Sequence, residues 1–283
     1  MHYENRQPDE GINVTQVHPL KQFVQLAIGT LVLVVLLVIV LQTSGSWLAK
    51  RVPFSFELAV MEKLDVQFGE ATDHPQITAY LNELSQRVGA HMNLPEGMQI
   101  TVHYDPDDVF NAYATVGGNL TFYRGLLEAM PDENTLAMVM AHEIAHVQYR
   151  DPVASLGGGI ASTLALLALT GSTGSNMAGS MLSNAGAITS VQFTRGMEEV
   201  ADKSALAALN ALYGHVNGAT ALFDMFKNAR GSSARSPQLL EGFLSTHPLD
   251  QNRVSAVRER ATSEGWAMQG QLTALPGGFA DWL

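Results

Sequence analysis

The sequence predicts an α+β, mostly helical fold, with a small β-sheet in one soluble domain and one membrane-spanning helix before it. Apolar residues from Ile77 to Val88 and in several later segments recur at helical spacing. Two short stretches within residues 98–123 alternate in the manner of strands. An uncharged run of 19 residues precedes both kinds of segment, and 283 residues suffice to bury a full core.

The uncharged run extends from Phe23 to Leu41 and is rich in Leu, Val and Ile. At 1.5 Å per residue it matches the hydrocarbon core of a bilayer, about 30 Å thick, so residues 23–41 are predicted as an anchor after a polar tail, 1–22. A cleaved signal peptide is the alternative, disfavoured because the run exceeds a usual signal core and a polar stretch precedes it. Arg6 and Lys21 precede the run, and Lys50 and Arg51 follow it. With two basic residues on each side, charge alone does not orient the segment in a membrane.

The composition excludes several classes of function. A net charge of −11 without a Lys/Arg run argues against nucleic-acid binding and against a polybasic membrane patch. The chain has no cysteine, which excludes disulfides, thiolate metal sites and cysteine catalysis.

The remaining segments follow in order along the chain. Residues 42–58 are predicted as a connector that Pro53 interrupts, then a helix starts near Pro75. A strand near residues 98–104 precedes a hairpin over 110–123 with Gly117-Gly118 as its turn. Further helices are predicted at about 132–149, 195–213, 216–229 and 250–264. Residues 153–193 carry no charge and are predicted as a lid or a membrane-leaning segment, with a membrane hairpin as the alternative. The tail, 266–283, docks either on the domain or on a partner.

The run His142-Glu143-Ile144-Ala145-His146 indicates the chemistry. Imidazoles at positions i and i+4 of a helix project from one face, so His142 and His146 can reach one metal ion. Glu143 then points beside the metal, where it can act as a general base, as in zinc-dependent hydrolases. An amphipathic helix with two structural histidines is the alternative interpretation.

A third ligand is predicted in the run from Thr194 to Asp202. A catalytic zinc ion takes three protein ligands and keeps one open position. In a helix, Glu198 and Asp202 share one face, so Glu198 can bind the metal while Asp202 accepts the N–H of a ligand histidine. Glu199 is the rival ligand, about 100° round the helix. An acidic helix start with no metal is the remaining alternative.

These motifs resemble the membrane-associated gluzincin metallopeptidases of family M48. Besides HEIAH and the later Glu-x-x-Ala-Asp, three stretches fit the family: Asn111–Ala114 with Gly117-Gly118, Arg124–Leu127, and Thr246-His247-Pro248 with Arg253. The resemblance covers about residues 60–262. It departs at Thr194, where Ser is usual, and at Asp151, where a basic residue is common, and neither departure is expected to touch the chemistry.

The resemblance implies a zincin-like metallopeptidase domain, residues 59–265, with one Zn²⁺ per chain. The implied activity is hydrolysis of peptide bonds in envelope or membrane protein quality control. Its partners are then misfolded, membrane or envelope polypeptides and the lipid bilayer, with no nucleic acid and with an oligomeric state that nothing indicates. We expect a single-pass protein of the bacterial inner membrane, with a cytoplasmic N-terminus and a periplasmic catalytic domain.

Several residues receive roles through the resemblance. Four form a predicted edge strand that holds extended substrate, with an ordinary core hairpin as the alternative: Asn111, Ala112, Tyr113 and Ala114. His247 either stabilises the tetrahedral oxyanion or occupies the metal as a fourth ligand at rest. Arg253 orients the 246–249 turn or contacts substrate, and it is grouped with Arg195 and Asp202 as support for the ligands.

Three other functions remain open. The first is a zinc-stabilised pseudo-protease that acts as a membrane-tethered chaperone or binding module. Glu143 argues against it, because a site that only binds has no need of a base. The others are a metal-free scaffold and a zinc hydrolase of something other than peptides.

Overall fold

The computed structural model describes residues 19–64, 74–170, 193–221, 246–247 and 251–283. Helices dominate it: α1 Pro19–Ala49, α2 Phe54–Leu64, α3 Pro75–Gly89, α4 Arg124–Leu127, α5 Glu133–Gln148, α6 Asp151–Thr170, α7 Arg195–Tyr213 and α8 Gln251–Ser263. The strands are β1 Thr101–Asp105, β2 Ala112–Ala114 and β3 Asn119–Tyr123, with 3₁₀ turns at Val116–Gly118 and Phe279–Trp282. The predicted mostly helical α+β fold is confirmed.

Helix α1 is the one helix of the described residues that is long and apolar enough to cross a membrane. It runs beyond the predicted anchor at both ends, since polar residues continue the helix on each side. At the C-terminal end, for example, Thr43 Oγ1 donates to Ile39 O at 2.8 Å. The predicted connector, 42–58, is therefore helical except around Pro53, which separates α1 from α2. Residues 19–22 of the predicted tail belong to α1, and 1–18 lie outside the described residues.

The three-stranded sheet has the order β1-β3-β2. β1 pairs with β3 in parallel, with Val102 opposite Leu120, while β2 and β3 form the predicted antiparallel hairpin. Gly117 and Gly118 turn the chain with φ of 74° and 79°, values that favour glycine. β2 consequently lies at an edge of the sheet.

Helix α5 lies at the centre of the domain, and every residue from Glu133 to Val147 is buried. Its N-terminus is capped by Asp132, whose carboxylate accepts from Thr135 N at 2.8 Å. It packs against α7, α3 and β2. Helix α7 begins after a Thr194 cap and ends at Gly214, with φ of 74°. Both helices match their predicted ranges within two residues.

The C-terminal segment, 266–283, docks on the domain. Phe279 is buried in the core, and Tyr104 donates its hydroxyl to Leu283 O at 2.6 Å. Thr273 accepts from Glu133 N at 2.9 Å and donates to Asn134 Oδ1 at 2.7 Å, at the start of α5.

Helix α6 lies antiparallel to the C-terminal part of α1. A Cβ added at Gly157 would stand 2.6 Å from Ala49 Cβ, and one added at Gly158 would stand 2.6 Å from Ser46 Oγ, so the two backbones approach closely. Residues 171–192 lie outside the described residues, as does most of the predicted helix 216–229, so a lid over the cleft stays a prediction.

Candidate metal centre

Four buried side chains converge between α5 and α7: His142, His146, Glu198 and His247. One nitrogen or oxygen of each lies within 4.8 Å of the corresponding atom of every other. Helix α5 supplies the two histidines spaced i and i+4, α7 supplies Glu198, and the described pair 246–247 supplies His247.

The spacing of these atoms fits one tetrahedral ion. The Nε2 atoms of His142 and His146 are 3.1 Å apart, and Glu198 Oε1 lies 3.4 Å from His146 Nε2. His247 Nδ1 lies 3.0 Å from Glu198 Oε1 and 3.3 Å from His142 Nε2. Four donors, each about 2.1 Å from a tetrahedral zinc ion, stand about 3.4 Å from one another.

Hydrogen bonds on the far side of the rings orient both α5 histidines. His142 Nδ1 lies 3.0 Å from Asp202 Oδ1, and His146 Nδ1 lies 3.0 Å from Asp151 Oδ2. If each Nδ1–H donates to its carboxylate, both Nε2 atoms present lone pairs to one another. Facing lone pairs repel unless a cation or proton lies between them, so the donor set fits a divalent metal that prefers nitrogen and oxygen ligands.

Arg253 of α8 holds the carboxylates of this cluster. Its Nε donates to Asp202 Oδ2 at 2.7 Å, and its Nη1 lies 2.7 Å from Glu198 Oε2. These contacts place Arg253 behind the predicted ligand Glu198 and its support Asp202, because the guanidinium is drawn to two buried carboxylates.

The charges of the cluster shift its pKa values. Burial would raise the pKa of Asp202, but Arg253 and His142 outweigh it and lower that pKa to about 2. Burial would lower the pKa of His142, but Asp202 and Glu198 outweigh it and raise that pKa to about 10. Burial would likewise raise the pKa of Glu198, but the three histidines outweigh it and hold that pKa below its usual range.

Glu143 lies fully buried beside the cluster, with Oε1 at 3.4 Å from His247 Nε2. Burial raises the pKa of its carboxyl above the usual value, while His247, His142 and the backbone of Ala114 offset part of that rise. A raised pKa makes a carboxylate a better proton acceptor near neutral pH.

Strand β2 runs past this carboxylate. The predicted substrate residues, Asn111 to Ala114, are buried, and Asn111 O accepts from Tyr123 N at 3.2 Å. Ala112 to Ala114 pair with β3 on one side only, at the edge of the sheet nearest to α5.

Comparison with known proteins assigns the family. Residues 73–261 match Peptidase family M48. The chain belongs to this family.

Relatives that this M48 chain matches include the beta-barrel assembly-enhancing proteases of Escherichia coli strain K12 (27% identical) and Yersinia pestis (29% identical), each over 66% of this chain. The mitochondrial metalloendopeptidase OMA1 of Schizosaccharomyces pombe is 27% identical over the same share. The chain spans 39% of the length of the two bacterial relatives and 53% of the yeast protein. The match confirms the predicted resemblance to the M48 metallopeptidases.

The rival ligand and one predicted supporting residue lie apart from the cluster. The side chain of Glu199, the rival ligand, is 60% exposed and pairs with Lys203 at 2.6 Å. Arg195 is exposed at the first residue of α7 and lines an outer cleft with Glu198 and Arg253, without a described contact to the histidines.

The contact of Asp151 with His146 overturns one expectation. The departure at residue 151 was expected not to touch the chemistry, yet the Asp151 carboxylate, 1% exposed, binds a histidine of the cluster. The sequence signal was weak, because Asp151 lies five residues after His146, across the end of α5.

Proposed function

We propose that the chain is a membrane-anchored, zinc-dependent endopeptidase that acts on misfolded envelope or membrane proteins. The observation that carries this proposal is the cluster of His142, His146, Glu198 and His247 with Glu143 buried beside it. Membership of the M48 metallopeptidases supports the same conclusion.

His142, His146 and Glu198 would hold one Zn²⁺ per chain, since nitrogen and carboxylate ligands at this spacing suit that ion. When bound, Zn²⁺ supplies a Lewis acid for the activation of water and of the scissile carbonyl. Asp202 fixes the ring of His142, while Arg253 lowers the pKa of Asp202 and pairs with Glu198 at 2.7 Å.

Glu143 is the general base of the proposed reaction. Its carboxylate takes the proton of the attacking water and returns it to the leaving nitrogen. Burial raises the pKa of this carboxyl, which supports its role as the proton acceptor.

His247 is proposed to occupy the fourth position of the cluster at rest. Its Nδ1 lies 3.0 Å from Glu198 Oε1 and 3.3 Å from His142 Nε2, close to the separation between two ligand atoms of one ion. These distances support this role over the alternative of an oxyanion donor. A site for hydrolysis needs an open position, so His247 has to withdraw before substrate reacts.

Substrate is proposed to bind as an added strand along β2. The edge position of Ala112–Ala114 and the proximity of Ala114 to Glu143 support main-chain pairing with an extended peptide. Only an unfolded segment can present such a strand, which accords with misfolded proteins as substrates. The resemblance to beta-barrel assembly-enhancing proteases supports substrates in the bacterial envelope.

Helix α1 is proposed to anchor the chain in the bacterial inner membrane, with the peptidase domain in the periplasm. The exposure and apolar character of α1 support the anchor. A periplasm-dependent reporter enzyme fused after residue 283 is expected to be active, and activity of a cytoplasm-dependent reporter instead would invert the orientation.

One observation favours a second function. A metal site closed by four protein ligands is typical of structural zinc, so the cluster also fits a binding or chaperone module that does not cleave. Glu143 has no purpose in such a module.

Cleavage of casein by the full-length protein in detergent tests the proposal, with Glu143→Gln as the matched variant and zinc content measured in both. Cleavage by the wild type alone, at equal zinc, is the expected result, because the variant removes the base and keeps the ligands. Equal zinc without cleavage in either protein would favour the binding module. Absence of zinc from both would refute the metal site.

A further inference from the structure

The Asp151 carboxylate lies between the metal cluster and the end of the membrane helix. Its Oδ2 is 3.0 Å from His146 Nδ1, and its Oδ1 is 2.7 Å from Lys50 Nζ, one residue after α1. Asp151 and His146 are 1% and 0% exposed, whereas the Lys50 side chain is 37% exposed. The three groups thus form a continuous series of contacts from the metal cluster to the end of α1.

We propose that Asp151 is a positioning residue that fixes His146 for metal binding, and that Lys50 holds Asp151 in turn. The affinity of the cluster for metal then depends on the end of the anchor helix. This inference rests on the proposed zinc site.

The backbone around Asp151 is held by the same part of the chain. Arg150 joins α5 to α6 with φ of 58°, a conformation that a side chain other than glycine rarely adopts. Its guanidinium binds the Glu57 carboxylate of α2 and the carbonyl oxygens of Lys50 and Val52. Glu57 also accepts from Gly117 N at 2.9 Å, beside the β2–β3 turn. These contacts fix where α6 begins, and therefore where the Asp151 carboxylate stands.

The effect on His146 follows from its two ring nitrogens. A carboxylate at Nδ1 selects the tautomer with the proton on Nδ1, leaving Nε2 as the donor atom, and raises the basicity of the ring. Nε2 is the atom of His146 that faces His142 and Glu198.

The two histidines of α5 are oriented by parallel arrangements that come from different parts of the molecule. Asp202 orients His142 and is held by Arg253 of α8, inside the domain. Asp151 orients His146 and is held by Lys50, at the anchor. One half of the cluster is therefore supported by the domain and the other half by the membrane-proximal segment.

Zinc affinity of the full-length protein in detergent tests this inference, measured by competition with a chromophoric chelator after metal removal. Asp151→Ala is expected to weaken zinc binding by about 10- to 100-fold, the usual cost of losing such a carboxylate. Asp151→Asn is expected to lose less, since its amide oxygen can still accept from Nδ1. Lys50→Gln is expected to weaken binding by about two- to fivefold, as for a partly exposed ion pair.

Arg51→Gln is the matched control, because this neighbouring cation lies over the Trp47 ring and not against Asp151. It is expected to bind zinc as the wild type does. In a double variant, Lys50→Gln is expected to add nothing to Asp151→Ala, because Lys50 acts through that carboxylate.

Co²⁺ loading provides a readout that a merely structural role would not move. The visible spectrum of bound Co²⁺, which depends on ligand geometry, is expected to change in Asp151→Ala and to return towards that of the wild type in Asp151→Asn. If Asp151→Ala does not fold, the zinc affinity of Lys50→Gln decides. Wild-type zinc affinity in the folded variants among Asp151→Ala and Lys50→Gln, with an unchanged Co²⁺ spectrum in Asp151→Ala where it folds, would overturn this inference alone, whereas a wild type that binds no zinc would overturn the proposed function.

Discussion

Glu198 and Glu199 are neighbours on α7 whose replacement by alanine is predicted to have opposite consequences. Glu198 is 1% exposed and lies 3.0 Å from His247 Nδ1, 3.4 Å from His146 Nε2 and 2.7 Å from Arg253 Nη1. Glu199 points away from the cluster and pairs with Lys203 one helical turn later. Each variant removes one glutamate carboxylate from the same helical turn, so one variant is the control for the other.

The expected loss of zinc affinity follows from the number of donor atoms that bind the ion. Zinc binding at four-ligand protein sites contributes about 10–16 kcal/mol, or about 2.5–4 kcal/mol for each donor. Glu198→Ala is therefore expected to raise the Kd for zinc by roughly two to three powers of ten. Glu199→Ala removes an exposed i,i+4 pair of about 0.3–0.5 kcal/mol and is expected to leave the Kd unchanged.

Competition with a chelator, on full-length protein in detergent, measures both dissociation constants, and circular dichroism checks that both variants fold. A Glu198→Ala variant that holds zinc as tightly as the wild type would refute the assignment. Loss of zinc in Glu199→Ala alone would move the ligand by one residue.

Three further predictions concern the resting state, the sheet turn and proton release. With zinc supplied in excess, His247→Ala is expected to cleave casein faster than the wild type, and slower cleavage at equal zinc would make His247 an oxyanion donor. Gly118→Ala is expected to lower the free energy of unfolding by more than about 2 kcal/mol, since its Cβ would stand 2.0 Å from Gln99 O; Gly97→Ala, with similar φ and open space, should cost only about 1 kcal/mol. Denaturant titration of both variants checks this difference. The pKa of His142 is about 10 without metal, so zinc must displace the proton of this ring at neutral pH. The affinity for zinc should therefore rise about tenfold per pH unit from pH 7 to 9. Calorimetry in two buffers can test the release of that proton.

The sequence predicts those parts of the site that depend on local spacing. His142 and His146 share a face because four residues separate them on a helix, and Glu198 and Asp202 repeat that relation. The hairpin follows from Gly117-Gly118, since both glycines adopt positive φ.

The parts that sequence reasoning missed depend on the three-dimensional path of the chain. Asp151 reaches His146 only because α5 ends at Gln148 and Arg150 turns the chain with φ of 58°. No periodicity predicts that turn, which contacts from Glu57 and the connector hold in place. The approach of α6 to α1 likewise depends on Gly157 and Gly158 meeting a helix more than a hundred residues earlier.

The docking of residues 266–283 sets an order of events during synthesis. Helix α1 leaves the ribosome well before this segment, whereas Leu283 meets Tyr104 across 179 residues and Thr273 meets Asn134 across 139. Contacts this distant in sequence close slowly, and the first turn of α5 is incomplete without them. The helix that bears the histidines is therefore fully secured only after residues 273–283 have left the ribosome.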